Sequence, residues 1–257
     1  MKTLYIDCGS GVCADMILSG FRALGAETDM GFEEEVRGLI HHGIEHGGFE
    51  PNPEQGCHPA HDSAQQTHEH GEAHSHHHAH GASYAAIREV LRRAPMTENA
   101  RKTAEKIYET IARAEAEVHG ATLETVHFHE VGRPQAILNI VSAAAMLDQM
   151  GVDRIVCSEV CDGQGTIECS HGVIPVPVPA VRAMMANCDY VFRTIPIDTE
   201  LVTPSGLAML IGMGAECAPQ PNGGIIARAF GRGGRDTGRN GMELLLIEEE
   251  SPLPSEA

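Results

Sequence analysis

Lys2-Thr3-Leu4-Tyr5-Ile6-Asp7-Cys8-Gly9-Ser10-Gly11-Val12-Cys13-Ala14-Asp15-Met16 opens the chain, and its reading decides the fold class. Residues 2 to 6 read as a short buried strand ending at Asp7. Small residues then turn the backbone into a helix that runs to about Leu24, where Gly25 fits a C-terminal stop. A strand that feeds a helix through a short turn is the first unit of a chain mixing both element types.

The same alternation continues outward. A second helix is expected over Phe32 to Ile40. Ser83 is an N-cap for a helix over Tyr84 to Arg93, broken at Pro95. Thr97 caps a longer helix whose apolar positions, Ala100, Ala104, Ile107, Ile111, Ala114 and Val118, make one face before Gly120 ends it. Val126 to Val131 is a strand candidate. Ile137, Ile140, Val141, Ala144 and Leu147 form another helical face, closed by Gly151. Strands follow near Ile155 to Val160, Thr166 to Cys169 and Tyr190 to Ile195, with a helix from Pro179 to Met185 between the last two. Thr203-Pro204 starts a further helix, with a capping hydroxyl and proline at the first position. Strands near Ile225 to Phe230 and Met242 to Ile247 close the pattern. The expectation is a mixed α/β or α+β fold: a single compact body interrupted by a long disordered His-rich insertion. Its parts are 1–42, an N-terminal strand and helix; 43–82, the insertion; 83–247, the main body; and 248–257, an acidic tail.

The 257 residues suffice for one large domain or two small ones. With 42% apolar residues but no Trp and only 4% aromatics, the core must be built from Ala, Val, Ile, Leu and Met. The formal charge of −18 disfavours nucleic acid and anionic membranes as partners and suits cation handling. Eight cysteines without a C-x-x-C pair read as reduced thiols and a cytoplasmic location. The apolar run at the start is too short for a signal peptide, and no stretch is long enough for a transmembrane helix.

Five constellations carry candidate chemistry. Nine of the sixteen histidines lie between residues 58 and 80: His58, His61, His68, His70, His74, His76, His77, His78 and His80. Imidazole suits nickel, zinc and copper at neutral pH, so the tract reads as an exchangeable metal reservoir. A solvated linker that binds metal incidentally is the bland alternative. In Val126-His127-Phe128-His129-Glu130-Val131, a strand would point His127 and His129 the same way, able to share a metal ion, with Glu130 opposite. Such a pair can equally be structural. Asp7 and Asp15 flank the first turn; they either hold a divalent or nucleotide-bound metal, with Ser10 beside an anion at the helix start, or merely cap turns.

Gly231-Arg232-Gly233-Gly234-Arg235-Asp236-Thr237-Gly238-Arg239 offers guanidinium groups and backbone N–H groups to a phosphate, unless it is a solvated hairpin turn. His171 precedes Pro175-Val176-Pro177-Val178-Pro179, an extended segment that can lie only at an edge or line a groove. Glu200, Thr203 and Ser205 bring further oxygen atoms or phosphate donors near by.

In this order the pieces resemble the LarC family, nickel insertion proteins of lactate-racemase pincer-cofactor assembly. The likeness lies in DCGSGVCADM at 7–16, the histidine tract, AEAEVHG at 114–120, VHFHEVG at 126–132, GQGTIECSHGVIPVPVPA at 163–180, ELVTPSGLAML at 200–210 and FGRGGRD at 230–236. The resemblance implies a CTP-dependent chelatase that inserts nickel into pyridinium-3,5-bisthiocarboxylic acid mononucleotide, forming two nickel–sulfur bonds and one nickel–carbon bond. It implies that His127, His129, Glu130, His171, Asp7 and Asp15 serve the reaction, and that Ser10, Thr203, Ser205, Arg232 and Arg235 hold the substrate's phosphate.

It also implies CTP and a divalent metal bound by a C-terminal portion that this chain lacks, supplied as a separate polypeptide or absent. Homo-oligomerisation is left open. Two departures stand out: Gln135 and Asn139 replace aspartates usual in the family, and Ala14 replaces a customary glycine. Neutral amides bind metal less well than carboxylates, so the alternative is a nickel chaperone or storage protein without catalysis. A zinc hydrolase built on His127, His129 and Glu130 is a third reading, short of a local third ligand.

Overall fold

The computed structural model describes residues 1–45, 81–169, 172–235, 237–239 and 241–249. In chain order the elements are β1 (Lys2–Asp7), α1 (Ala14–Ala23), α2 (Met30–Glu45), β2 (Ala82–Ser83), α3 (Tyr84–Arg93), α4 (Glu98–His119), β3 (His127–Phe128), α5 (Pro134–Met150), β4 (Arg154–Cys157), β5 (Val160–Asp162), β6 (Thr166–Cys169), β7 (Gly172–Pro175), α6 (Pro179–Ala186), β8 (Phe192–Thr194), α7 (Pro204–Gly212), β9 (Glu216–Cys217), β10 (Gly224–Gly231) and β11 (Met242–Glu248).

The mixed α/β expectation holds. A five-stranded sheet runs β10-β11-β1-β4-β9, with β1 antiparallel to β11 and parallel to β4. Period-two alternation sorts its side chains. Leu4, Ile6, Leu244 and Leu246 face the helices and join the main core, whereas Tyr5, Val156, Leu245 and Ile247 form a small cluster on the opposite face. Alanine and glycine keep the helices thin, so they lie close. Helix α4 is at the centre of the layer and packs against α3, α5, α6 and α7.

Helix ends follow their local chemistry. The hydroxyls of Ser83, Thr97 and Thr203 accept from the N–H groups of Ala86, Ala100 and Gly206, each at 3.1 Å. Gly120 and Gly151 close α4 and α5 in the left-handed conformation.

Several expectations are corrected. The strand expected over Val126 to Val131 shortens to two residues paired with β2, because Glu130 to Gly132 turn toward α5. The strand expected over Ile155 to Val160 splits into β4 and β5, which join different sheets. Val118, expected on the buried face of α4, is 39% exposed. Large aromatic side chains do contribute to the core: Phe21, Tyr108 and Phe128 are fully buried. Helix α2 continues through Glu45, and Ala82 already pairs in β2. The nine tract histidines lie outside the described residues. Among those described, no helix is long and apolar enough to cross a membrane.

Candidate functional site

The turn after β1 is held in place by a neighbouring segment. The Val12 N–H donates to the Leu201 carbonyl, and the Thr203 N–H donates to the Val12 carbonyl, both at 3.0 Å. Gly11 makes this approach possible: its φ is +86°, and a Cβ there would stand 2.3 Å from the Leu201 oxygen. The turn and residues 200–203 therefore act as one wall, with the N-termini of α1 and α7 side by side. The glycine-rich loop after β10 lies across α1. Ser19 Oγ accepts from the Arg232 N–H at 2.8 Å and donates to the Arg232 carbonyl at 3.0 Å. Gly231 lets the loop this close, since a Cβ would meet the Met16 carbonyl at 1.9 Å.

Between these parts lies a cavity of about 650 Å³ lined by Ser10, Cys13, Asp15, Glu200, Thr203, Arg232, Arg235, Thr237 and Arg239, among others. A second cavity of about 380 Å³ is lined mainly by apolar groups of Val118, Val131, Ile167, Ile174, Val178 and Pro179. Glu115, His119, His129, Glu130 and Ser205 sit on its wall. Glu200, Thr203 and Arg235 line both cavities and so form their common boundary. The C-terminal end of the proline segment, Val178 and Pro179, lines this cavity together with Ile167 and Ile174 of the β6–β7 hairpin.

The acidic residues divide by environment. Asp7 Oδ1 accepts from the Gly9 N–H at 2.7 Å, closing its own turn. Asp15 Oδ1 accepts from Asn139 Nδ2 at 3.0 Å, and Asn139 Oδ1 accepts from Gln135 Nε2 at 2.7 Å. The amides of Gln135 and Asn139 therefore form a hydrogen-bonded chain ending on a carboxylate.

Asp162 is 1% exposed and accepts from the N–H groups of Gly163, Leu201 and Val202 at 2.8, 2.9 and 3.0 Å. This clamp sets the backbone of the shared wall. Burial raises the Asp162 carboxyl despite those three donors. Glu200 is 6% exposed, and its Oε2 lies 3.3 Å from Arg235 Nη1. Burial pushes Glu200 from its ordinary 4.5 to about 7, with Arg235 opposing and the charges of Asp162 and Glu130 adding to the rise. Burial likewise raises the Cys13 thiol, which keeps it protonated at neutral pH.

On the histidine side, Phe128 is buried beside Tyr84 and Tyr108, with ring centroids 6.0 and 6.1 Å away. That anchor turns His127 and His129 to the other face, their ring centroids 6.1 Å apart. His127 Nε2 is buried without a hydrogen-bond partner. His119 stands 6.2 Å from the His129 ring and 3.3 Å from Glu115 Oε2. Among the described residues, no group of three or more His, Cys, Asp or Glu side chains is arranged to hold a metal ion. His171 and Asp236 lie outside the described residues.

The structure thus brings Ser10, Asp15, Thr203, Arg232 and Arg235 together at one cavity, and His129, Glu130 and Ser205 at its neighbour. Sequence reasoning missed Asp162 and its clamping role, and it did not foresee that Arg239 Nη2 donates to the Gly9 carbonyl at 2.7 Å. It also gave no weight to His119. The i, i+4 spacing of Glu115 and His119 within α4 was the available signal for that pair.

Comparison with known proteins gives the context. Residues 4–256 match the model of the family described as nickel insertion protein. The chain is 36% identical over 253 residues to the pyridinium-3,5-bisthiocarboxylic acid mononucleotide nickel insertion protein of Acetivibrio thermocellus, covering 96% of this chain and 60% of that one. It is 34% identical over 267 residues to the protein of the same name from Geobacillus kaustophilus, covering 99% and 62%. A putative nickel insertion protein of Methanosarcina barkeri is 34% identical over 173 residues, covering 66% and 44%. No solved structure matches. The chain spans about 60% of the length of the first two relatives. With the family match running almost from end to end, this chain belongs to the nickel insertion protein family.

Proposed function

We propose that this chain is the nickel-handling and precursor-binding part of an enzyme that inserts nickel into pyridinium-3,5-bisthiocarboxylic acid mononucleotide, yielding the nickel-pincer cofactor. One observation carries the reading: an arginine- and glycine-lined cavity shares a wall with an apolar, histidine-edged one. Guanidinium groups and backbone N–H groups at a helix start suit the phosphate of a mononucleotide. A cavity of about 650 Å³ is the size small-molecule sites take.

With its phosphate on Arg232 and the glycine-rich loop, the nucleotide directs the far edge of its pyridinium ring at the shared wall of Glu200, Thr203 and Arg235. Nickel gathered by the tract of residues 58–80 approaches from the smaller cavity, past His119 and His129. His127 and Glu130 support that side. CTP and a divalent metal are the further components of the reaction in this reading.

Isothermal titration tests the proposal. The chain binds the precursor mononucleotide, and Arg232→Ala weakens it at least tenfold. The chain also binds nickel, and removal of residues 58–80 weakens that binding. Nickel affinity no tighter than roughly millimolar in both forms refutes the reading. A chaperone or storage role follows instead if nickel binds and the precursor does not.

A further inference from the structure

Glu200 is a buried charged group that the packing of the fold does not account for. It is buried at the boundary of two cavities, and among the described residues its polar partner is Arg235, a largely exposed side chain. A protein keeps an ionisable carboxyl in such a place at a cost, since burial disfavours its charged form.

The substrate that the relatives' name specifies supplies a use. Its two thiocarboxylates stand on ring carbons 3 and 5, so a nickel ion held by both sulfurs lies against carbon 4 and its hydrogen. A bond from nickel to that carbon forms only as the proton leaves. We propose that the Glu200 carboxylate is the group that accepts this proton.

The inference rests on the functional reading above. With the phosphate held by the arginine loop, carbon 4 is the ring atom farthest from the ribose, and it meets the wall to which Glu200 belongs. The step balances without an oxidant. The carbon–hydrogen bond breaks, its electron pair becomes the nickel–carbon bond, nickel stays divalent, and the proton moves to Glu200 Oε1 or Oε2. Return of the proton to water through the larger cavity resets the site.

The surroundings suit the task. Arg235 stabilises the carboxylate, while Asp162 below it and Glu130 beside it oppose its ionisation; Asp15, Arg232, Arg239 and His129 face the same two cavities. The outcome is an acid whose midpoint of about 7 matches a base working at neutral pH.

The test uses the full chain with nickel(II), CTP, the CTP-binding portion of a relative, and the precursor carrying hydrogen or deuterium at carbon 4. Mass spectrometry follows the nickel adduct. The wild-type rate is expected to rise with pH to a plateau with a midpoint near 7, and deuterium to slow it. Glu200→Gln is expected to lose about a hundredfold or more in rate and to lose the pH limb, while nickel and precursor affinity stay within threefold. Glu200→Asp is expected to restore part of the rate with a displaced midpoint, which also decides the matter if the Gln variant does not fold. A Gln variant within threefold of wild type, or one retaining the pH limb, overturns the assignment alone. Precursor binding without adduct from the wild-type mixture overturns the functional reading and this inference with it.

Discussion

Glu200→Gln has a second consequence, independent of any substrate. In the folded chain burial raises this carboxyl from 4.5 to about 7; in the unfolded chain it returns to its ordinary value. Between those two values the folded state holds a proton that the unfolded state has released. Stability from this group is therefore fully present below about pH 4.5 and is lost as pH rises to about 7. At about 1.4 kcal/mol for each tenfold change, the loss at alkaline pH is at most about 3 kcal/mol. Glutamine mimics the protonated acid and has no such loss. The variant and the wild type should then have similar stability near pH 5, and the variant should be the more stable near pH 8.5. Urea denaturation followed by circular dichroism at both pH values measures the difference, with equal slopes required for a clean comparison. Parallel pH curves, or a variant less stable at pH 8.5, would refute the argument: the ion pair with Arg235 would then outweigh desolvation.

Three further substitutions probe the same architecture. Gly11→Ala forces a side chain into a φ of +86° and against the Leu201 carbonyl; it should cost about 2 kcal/mol or more, seen as a lowered urea midpoint, and an unchanged midpoint would deny the close approach. Asn139→Asp places a second carboxylate beside Asp15, where the amide now donates at 3.0 Å. Repulsion should lower the melting temperature near pH 8 in chelator, and added divalent cation should restore it; insensitivity to both would show that the two groups do not face each other. Thr97→Ala removes the hydroxyl that caps α4 and also donates to Asp148 at 2.7 Å. A loss of about 1 kcal/mol is expected, with Thr97→Ser largely retaining the cap.

The sequence by itself determined what depends on near neighbours along the chain. Caps at Ser83, Thr97 and Thr203 and the stops at Gly120 and Gly151 were legible because each is satisfied within one helical turn. The small-residue turn after β1 was legible for the same reason. Two-residue strands such as β2 and β9 were not, since their pairing partners lie far along the chain. Only the tertiary structure decided which carboxylate matters. By residue type Asp7, Asp15, Asp162 and Glu200 are alike. Folding turns Asp7 onto its own loop, ties Asp15 to the Asn139 amide, uses Asp162 as a backbone clamp and leaves Glu200 buried between two cavities. Burial and the charges of Arg235, Asp162 and Glu130 set its proton affinity, and these come from segments separated by tens of residues. Desolvation is a property of the packed surroundings, so no reading of local pattern could have supplied it.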